Sequence, residues 1–101
     1  MASRVLLQAK LEQLLGSSNV YYQSPESVKM EYPAIRYFRE FVFAEHASDN
    51  VHRSMNRYKI TVIDRKPDNP VIDKLLSLPY CSYERSYKSD NLNHDVLTLY
   101  F

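Results

Sequence analysis

Apolar and polar residues alternate with a period of two along much of this chain, and this pattern restricts the fold more than any other feature of the sequence. The first long alternating segment runs from Ala34 to Ala44, and the second includes Tyr58, Ile60 and Val62. A period of two is typical of β-strands, because successive side chains of a strand point to opposite faces of the sheet. We therefore predict two long strands. One parity of the first strand carries Ile35, Tyr37, Phe41 and Phe43, with Arg39 as the exception.

Two other segments have the spacing of helices. In residues 3–15, leucines at positions 7, 11, 14 and 15 follow the i, i+4, i+7, i+8 pattern of one apolar helix face, with Ser3 as N-cap and Gly16 as the C-terminal residue. A second, short helix is predicted after Asn69, an N-cap residue followed by Pro70, and before Pro79. Its predicted buried stripe consists of Ile72, Leu75 and Leu76.

The remaining segments complete the predicted fold. Short or alternating β-prone runs predict strands at residues 20–22, 81–88 and 96–101, whereas the polar segment from Glu45 to Met55 is interpreted as a loop between the two long strands. We therefore expect an α+β fold over residues 1–101, read as a single domain: a largely antiparallel sheet of about five strands with two helices packed on one face. Tyrosines and phenylalanines of the other parity are expected on the opposite face, where an aromatic patch would mark a partner or self-assembly surface.

Composition excludes several classes of function. Gly16 is the only glycine, so glycine-rich nucleotide-binding loops are excluded. Cys81 is the only cysteine, so no disulfide can form within the chain. The formal net charge of +1 provides no long-range field toward nucleic acid or anionic lipid. Polar residues interrupt the N-terminal segment every few positions, and we therefore expect neither a secretion signal nor a membrane-spanning helix.

No set of residues predicts catalysis, a cofactor or a metal. His46 and His52 lie near Glu45 and Asp49, but their spacing matches no zinc-binding pattern, so we interpret them as solvated loop histidines. Cys81 has strand parity with core-facing tyrosines and lacks the surroundings of a nucleophile. We therefore expect no enzyme activity.

Basic residues on the two long strands leave a nucleic-acid hypothesis open. Cations interleaved with aromatics are typical of surfaces that bind single-stranded nucleic acid, and the basic residues that stand among tyrosines here are Arg36, Arg39, Arg57, Lys59 and Arg65. Glu40 and the small net charge weaken this interpretation, and a solvated strand face or ion pairs between subunits would produce the same pattern.

Three segments carry a resemblance to a known family. The runs YYQSPESVKMEYPAIRY (residues 21–37), RYKITVIDRKPDNPVIDKLLSLPYCSYERSY (residues 57–87) and DNLNHDVLTLYF (residues 90–101) resemble small structural proteins encoded among the head–tail genes of long-tailed bacteriophages. Within that group the sequence is most similar to the tail terminator, also called the tail completion protein. The early helix and the segment from Glu45 to Met55 carry little of the resemblance.

The resemblance implies a virion structural protein, made in the host cytoplasm, that forms a ring, generally of six copies. Such a ring caps the tail tube, stops its polymerisation and presents its upper face to the head connector, and DNA passes through its lumen. The partners implied are therefore further copies, the tail-tube protein and a neck protein. The alternatives are another neck protein, such as a head-completion or stopper ring, and a small nucleic-acid binding module. The candidate interface residues are Arg36, Phe38, Arg39, Glu40, His46, Asp49, His52, Arg57 and Lys59.

Overall fold

A computed structural model describes residues 4–23, 30–47 and 50–101, and of residues 41–47 and 50–55 it describes the backbone alone. It contains a five-stranded sheet and two helices, and the α+β prediction is confirmed. In chain order the elements are α1 (Arg4–Leu15), β1 (Val20–Tyr22), β2 (Ala34–Ala47), β3 (Asn50–Asp64), α2 (Val71–Leu76), β4 (Cys81–Ser89) and β5 (Leu92–Tyr100).

The strands are ordered β1-β2-β3-β5-β4 in the sheet. β1 pairs parallel with β2, and the other three pairings are antiparallel, so the sheet is mixed but largely antiparallel as predicted. β3 and β5 lie inside the sheet, whereas β4 forms one edge and β1 covers only three residues of β2 at the other.

The core lies between the helices and one face of the sheet. Leu7 and Leu11 of α1 and Leu75 of α2 are fully buried there. Their partners on the sheet share one parity on every strand, because cross-strand pairing aligns the same face of neighbouring strands. Both helices therefore pack on the same face, as the sequence predicts. The strand residues of this core are Val20, Ile35, Tyr37, Tyr58, Ile60, Val62, Leu97 and Leu99.

Local signals place the helix ends. α1 ends at Gly16, which has a φ of 81° and whose backbone N–H donates to the carbonyl of Glu12 at 2.9 Å. Glycine adopts this left-handed conformation at little steric cost. At α2 the side-chain oxygen of Asn69 accepts a 2.9 Å hydrogen bond from the N–H of Val71, and Pro70 already has helical backbone angles. Asn69 thus caps the helix; Ser3 lies outside the described residues.

The predicted stripe of α2 is partly wrong. Val71 and Leu75 are buried, whereas Leu76 is exposed. Residues four apart lie on the same side of a helix, and Leu76 is rotated by about 100° from Leu75, which turns it away from the sheet.

The prediction of a loop from Glu45 to Met55 is wrong. β2 continues to Ala47 and β3 starts at Asn50, with Ala47 paired to Asn50 at the end of the ladder. Strand pairing satisfies backbone donors and acceptors whatever the side chains are, so a polar segment without alternation can still be β-structure. Residues 48 and 49 lie outside the described residues.

Three register shifts interrupt the strand pairings, and at two of them the extra residue is a glutamate. Arg39 pairs with Tyr58 and Phe41 with Arg57, which leaves Glu40 as the extra residue of β2. Likewise Glu84 is the extra residue of β4. A bulge changes the parity of its strand. The predicted single parity from Ile35 through Phe43 is therefore interrupted at Glu40.

Truncating a core leucine should destabilise the fold much more than truncating an exposed one. We expect Leu11→Ala to lower the free energy of unfolding by about 2 to 5 kcal/mol, because it leaves a cavity between α1 and the sheet. The matched control, Leu6→Ala, changes an exposed leucine of the same helix and should cost less than about 0.5 kcal/mol. Urea denaturation followed by circular dichroism measures both, and equal losses would contradict this packing.

Candidate functional site

The sheet face opposite the helices, called the open face here, is covered by no helix of the described chain. Cross-strand pairs place Arg36 beside Thr61, and Phe38 beside Lys59. On the next strand Val96 and Thr98 continue these two rows. The open face consists of Ala34, Arg36, Phe38, Arg57, Lys59, Thr61, Ile63, His94, Val96, Thr98 and Tyr100, together with Ser82, Arg85 and Tyr87 of β4.

Charged side chains, rather than bare aromatic rings, dominate the open face. Ala34, Ile63, Val96 and Thr98 are buried although no helix covers them. Long side chains such as that of Lys59 can shield neighbouring apolar groups with their methylene stems while the charged end stays in water. Among the exposed large hydrophobics of the described chain, Phe38 and Tyr87 lie on the open face, with 38% and 43% of their surface exposed.

The two bulge glutamates pair with the two central cations of β3. Glu40 Oε1 lies 3.5 Å from Arg57 Nε, and Glu84 Oε2 lies 3.4 Å from Lys59 Nζ. Because Lys59 pairs with Thr98 of β5, the second ion pair spans β5 to reach β4. The positive potential expected from Arg57 and Lys59 is therefore largely neutralised by carboxylates of the same chain.

Exposed tyrosines gather on β4 and directly before it, at one edge of the sheet. Tyr80 is 64% exposed, Tyr83 45% and Tyr87 43%. Tyr83 donates a 2.8 Å hydrogen bond to Asp95, and Tyr87 stacks on His94 with ring centroids 4.6 Å apart. All residues from 82 to 89 are exposed. This edge therefore offers both aromatic side chains and a free row of backbone donors and acceptors.

Residues 41–47 and 50–55 form a two-stranded ribbon that extends past the rest of the sheet. β1 pairs with β2 only at residues 35–37, and β5 pairs with β3 only at residues 57–64. Among the described residues, the two ribbon strands therefore pair only with each other. Outside the β1 contact, no strand of the described chain pairs with the outer edge of β2 from Phe38 to Ala47, and we call this segment the free edge of β2.

The structure brings together five of the candidate interface residues: four share the open face, and a fifth is joined to them by an ion pair. Arg36, Phe38, Arg57 and Lys59 share the open face, and Glu40 joins them through its ion pair. Arg39 is exposed but pairs with Tyr58, so it belongs to the parity that faces the helices.

The two histidines of the candidate set lie in the ribbon. The backbone of His46 is in β2 opposite Val51, and His52 is in β3, so the interpretation of both as loop residues is wrong. Asp49 lies outside the described residues. Sequence reasoning missed Glu84 and the tyrosines of the β4 edge. The signal that could have found them is that neither face of this alternating strand carries an aliphatic side chain.

A tyrosine cluster lies between α1 and the sheet. The ring centroids of Tyr22 and Tyr37 are 4.9 Å apart, and those of Tyr37 and Tyr58 are 6.0 Å apart. The Tyr37 hydroxyl donates to Gln8 Oε1, and the guanidinium of Arg4 lies 4.4 Å from the Tyr22 ring centroid. Burial raises the pKa of Tyr37 and of Tyr58, and nearby Arg4 opposes the rise in both. Such neutral, buried phenols stabilise packing.

Two surface cavities and one thiol are further places where a ligand could bind or react. A polar cavity of about 300 Å³ includes Asp68, Lys88 and His94, and an apolar cavity of about 230 Å³ lies beside Tyr80 and Phe101. Burial raises the pKa of the Cys81 thiol, which disfavours the reactive thiolate. Within residues 4–23, 30–47 and 50–101 no three potential metal ligands come together, and no helix is long and apolar enough to span a membrane.

Alkaline pH should destabilise the protein through its buried phenols. Burial raises the pKa of both phenols above 10.0, the ordinary value for tyrosine. The folded state therefore binds the phenolic protons more tightly than the unfolded state, and this contribution to stability is complete below about pH 10 and is lost as the pH rises toward the folded-state pKa. In a Cys81→Ser background, which removes the thiol, Tyr37→Phe and Tyr58→Phe should each flatten the decline in unfolding free energy as the pH rises above about 10. Exposed Tyr80→Phe is the control, and an unchanged slope in both core variants would contradict the assignment.

The Lys59–Glu84 ion pair should show measurable coupling. In a double-mutant cycle of Lys59→Gln and Glu84→Gln, we expect a coupling energy of about 0.2 to 1 kcal/mol that decreases with added salt, since both side chains are partly exposed. A cycle of Glu84→Gln with Lys88→Gln, on the same strand, should give a coupling near zero. Equal coupling in the two cycles would mean that the pair across β5 is not formed.

Comparison of the chain with models of known protein families gives no match, and comparison with curated proteins gives none either.

Proposed function

We propose that this chain is a non-enzymatic structural protein of a long-tailed bacteriophage, whose copies form a ring at the top of the tail tube. The ring ends polymerisation of the tube and joins the tail to the head connector. The sequence resemblance of residues 21–37, 57–87 and 90–101 suggests the family. The observation that carries the proposal is that the sheet has two different free edges, on opposite sides of the molecule.

Free edges on opposite sides suit a ring because rings are built from heterologous contacts. In such a contact one surface of each subunit meets a different surface of the next. Here one side of the sheet offers β4 with its exposed tyrosines, and the other offers the outer edge of β2 and the ribbon. Edges of this length invite pairing with another chain unless they are covered.

The open face supports the nucleic-acid alternative less well than the sequence suggests. Binding of single strands depends on cations that contact phosphates. Arg57 and Lys59 each have a glutamate of this chain within 3.5 Å, so a phosphate would compete with an existing ion pair. The net charge of +1 adds little long-range attraction.

The proposal is tested with the tail-tube protein encoded in the same genome. Added at the start of tube assembly, the purified chain should give shorter tubes, each capped at one end in electron micrographs. Tyr83→Ser removes an exposed tyrosine from the β4 edge and should weaken capping. The control, Asp73→Lys, changes an exposed residue of α2 and should leave capping unchanged. Circular dichroism checks that both variants fold.

Three outcomes would contradict the tail-terminator role. Unchanged tube length together with binding to filled heads would favour a stopper or head-completion ring. Binding to oligothymidine with an affinity that falls steeply with salt would favour the nucleic-acid module. Binding to neither, with the mass of one chain under all conditions, would leave no support for a ring.

A further inference from the structure

We propose that neighbouring copies share one continuous sheet, in which β4 of one copy pairs antiparallel with the free edge of β2 in the next copy. This inference rests on the proposed ring and specifies the contact that builds it. It commits to a second copy of the chain as the occupant of both edges.

The two edges match in length. β4 contains nine residues, and its outer side has no partner strand in the sheet. On β2 the outer side is free over the ten residues from Phe38 to Ala47, because β1 stops after covering residues 35–37. Each free edge leaves backbone donors and acceptors that a strand from another chain can satisfy.

Strand direction is also compatible. β2 runs antiparallel to β3, β3 to β5 and β5 to β4, so β4 runs opposite to β2. When a second copy is placed beside the first in the same orientation, β4 therefore meets β2 of its neighbour as an antiparallel pair. Repeating the contact continues the largely antiparallel sheet from copy to copy.

Charge disfavours the pairing of two β4 edges. β4 carries Arg85 and Lys88, and its Glu84 is already paired with Lys59 of the same chain, which leaves this edge positive. On the free edge of β2 the charges of Arg39 and Glu45 balance, and Glu40 is paired with Arg57. Two β4 edges would therefore bring like charges together, whereas the mixed pair does not.

β1 determines the offset between copies. Within one copy, the pairings across the sheet place Ser86, near the centre of β4, at the same level as Ile35 of β2. At that level β1 already pairs with the outer edge of β2, so no other strand can pair there. Because Glu40 is an extra residue, β4 of the neighbour must therefore shift by about six ladder positions, or about 20 Å, to reach the centre of the free edge near Val42. Over four strand spacings, about 19 Å, this offset corresponds to a strand tilt of about 45°, close to the tilt of closed barrels. The offset thus favours closure into a ring.

The test uses disulfides between differently tagged copies. In a Cys81→Ser background, a Ser86→Cys protein is mixed with Phe41→Cys, Val42→Cys or Phe43→Cys protein, three positions that sample the register. After oxidation, alone and with tail-tube protein, at least one mixture should give about tenfold more mixed dimer than the control, because a disulfide requires Cα atoms within about 7 Å. The control mixes the same β2 variants with Asp73→Cys protein, whose new cysteine stands at an exposed position of α2.

Other outcomes overturn the inference in distinguishable ways. Efficient disulfide formation by Ser86→Cys protein alone would mean that two β4 edges pair, and the mixed contact would be wrong. Rings seen by electron microscopy and light scattering, with no mixed disulfide at any position, would also overturn it while leaving the proposed ring intact. Particles of one chain with no mixed disulfide, even with tail-tube protein present, would overturn both.

Discussion

The rest of the structure depends on the antiparallel pairing of β2 with β3. These are the longest strands, and their ladder extends from Ala34 opposite Ile63 to Ala47 opposite Asn50. One half of the ladder forms the middle of the sheet, where the helices cover it. The other half continues as the ribbon, beyond the reach of β1 and β5. Because the ladder itself satisfies the inner backbone groups of both strands, the ribbon needs no core beneath it, and its outer edges remain available.

The two faces of the sheet are stabilised by different forces. On the helix face, aliphatic side chains and the tyrosine cluster exclude water, and burial supplies the stability. On the open face, Glu40 and Glu84 are the extra residues of two β-bulges, and their carboxylates form ion pairs with Arg57 and Lys59. These ion pairs add little stability each. They do neutralise the cations of this face, and for this reason the proposed assembly joins the edges of the sheet and not its faces.

Much of the fold could be predicted from local signals, and the failures have one cause. Both helices could be identified from capping and periodicity rules, because these signals involve residues only a few positions apart. The signals are Gly16, Asn69 and the leucines of α1. The ribbon, the bulge at Glu40 and the exposure of Leu76 depend on which residues lie opposite in another element. The same limit applies to the candidate site: Arg36, Phe38, Arg57 and Lys59 share one face of the sheet, whereas Arg39, which the sequence grouped with them, has the register of the opposite face.

The sequence by itself determined the α+β class, the two helices and the strand parity that builds the core, because hydrophobic periodicity and end signals are local properties of the chain. Tertiary structure alone decided that β4 is an edge strand, that β1 stops after three residues, and that the polar segment after Ala44 continues as paired strands. Edges and strand order are set by contacts between residues distant in sequence, and no periodicity records such contacts.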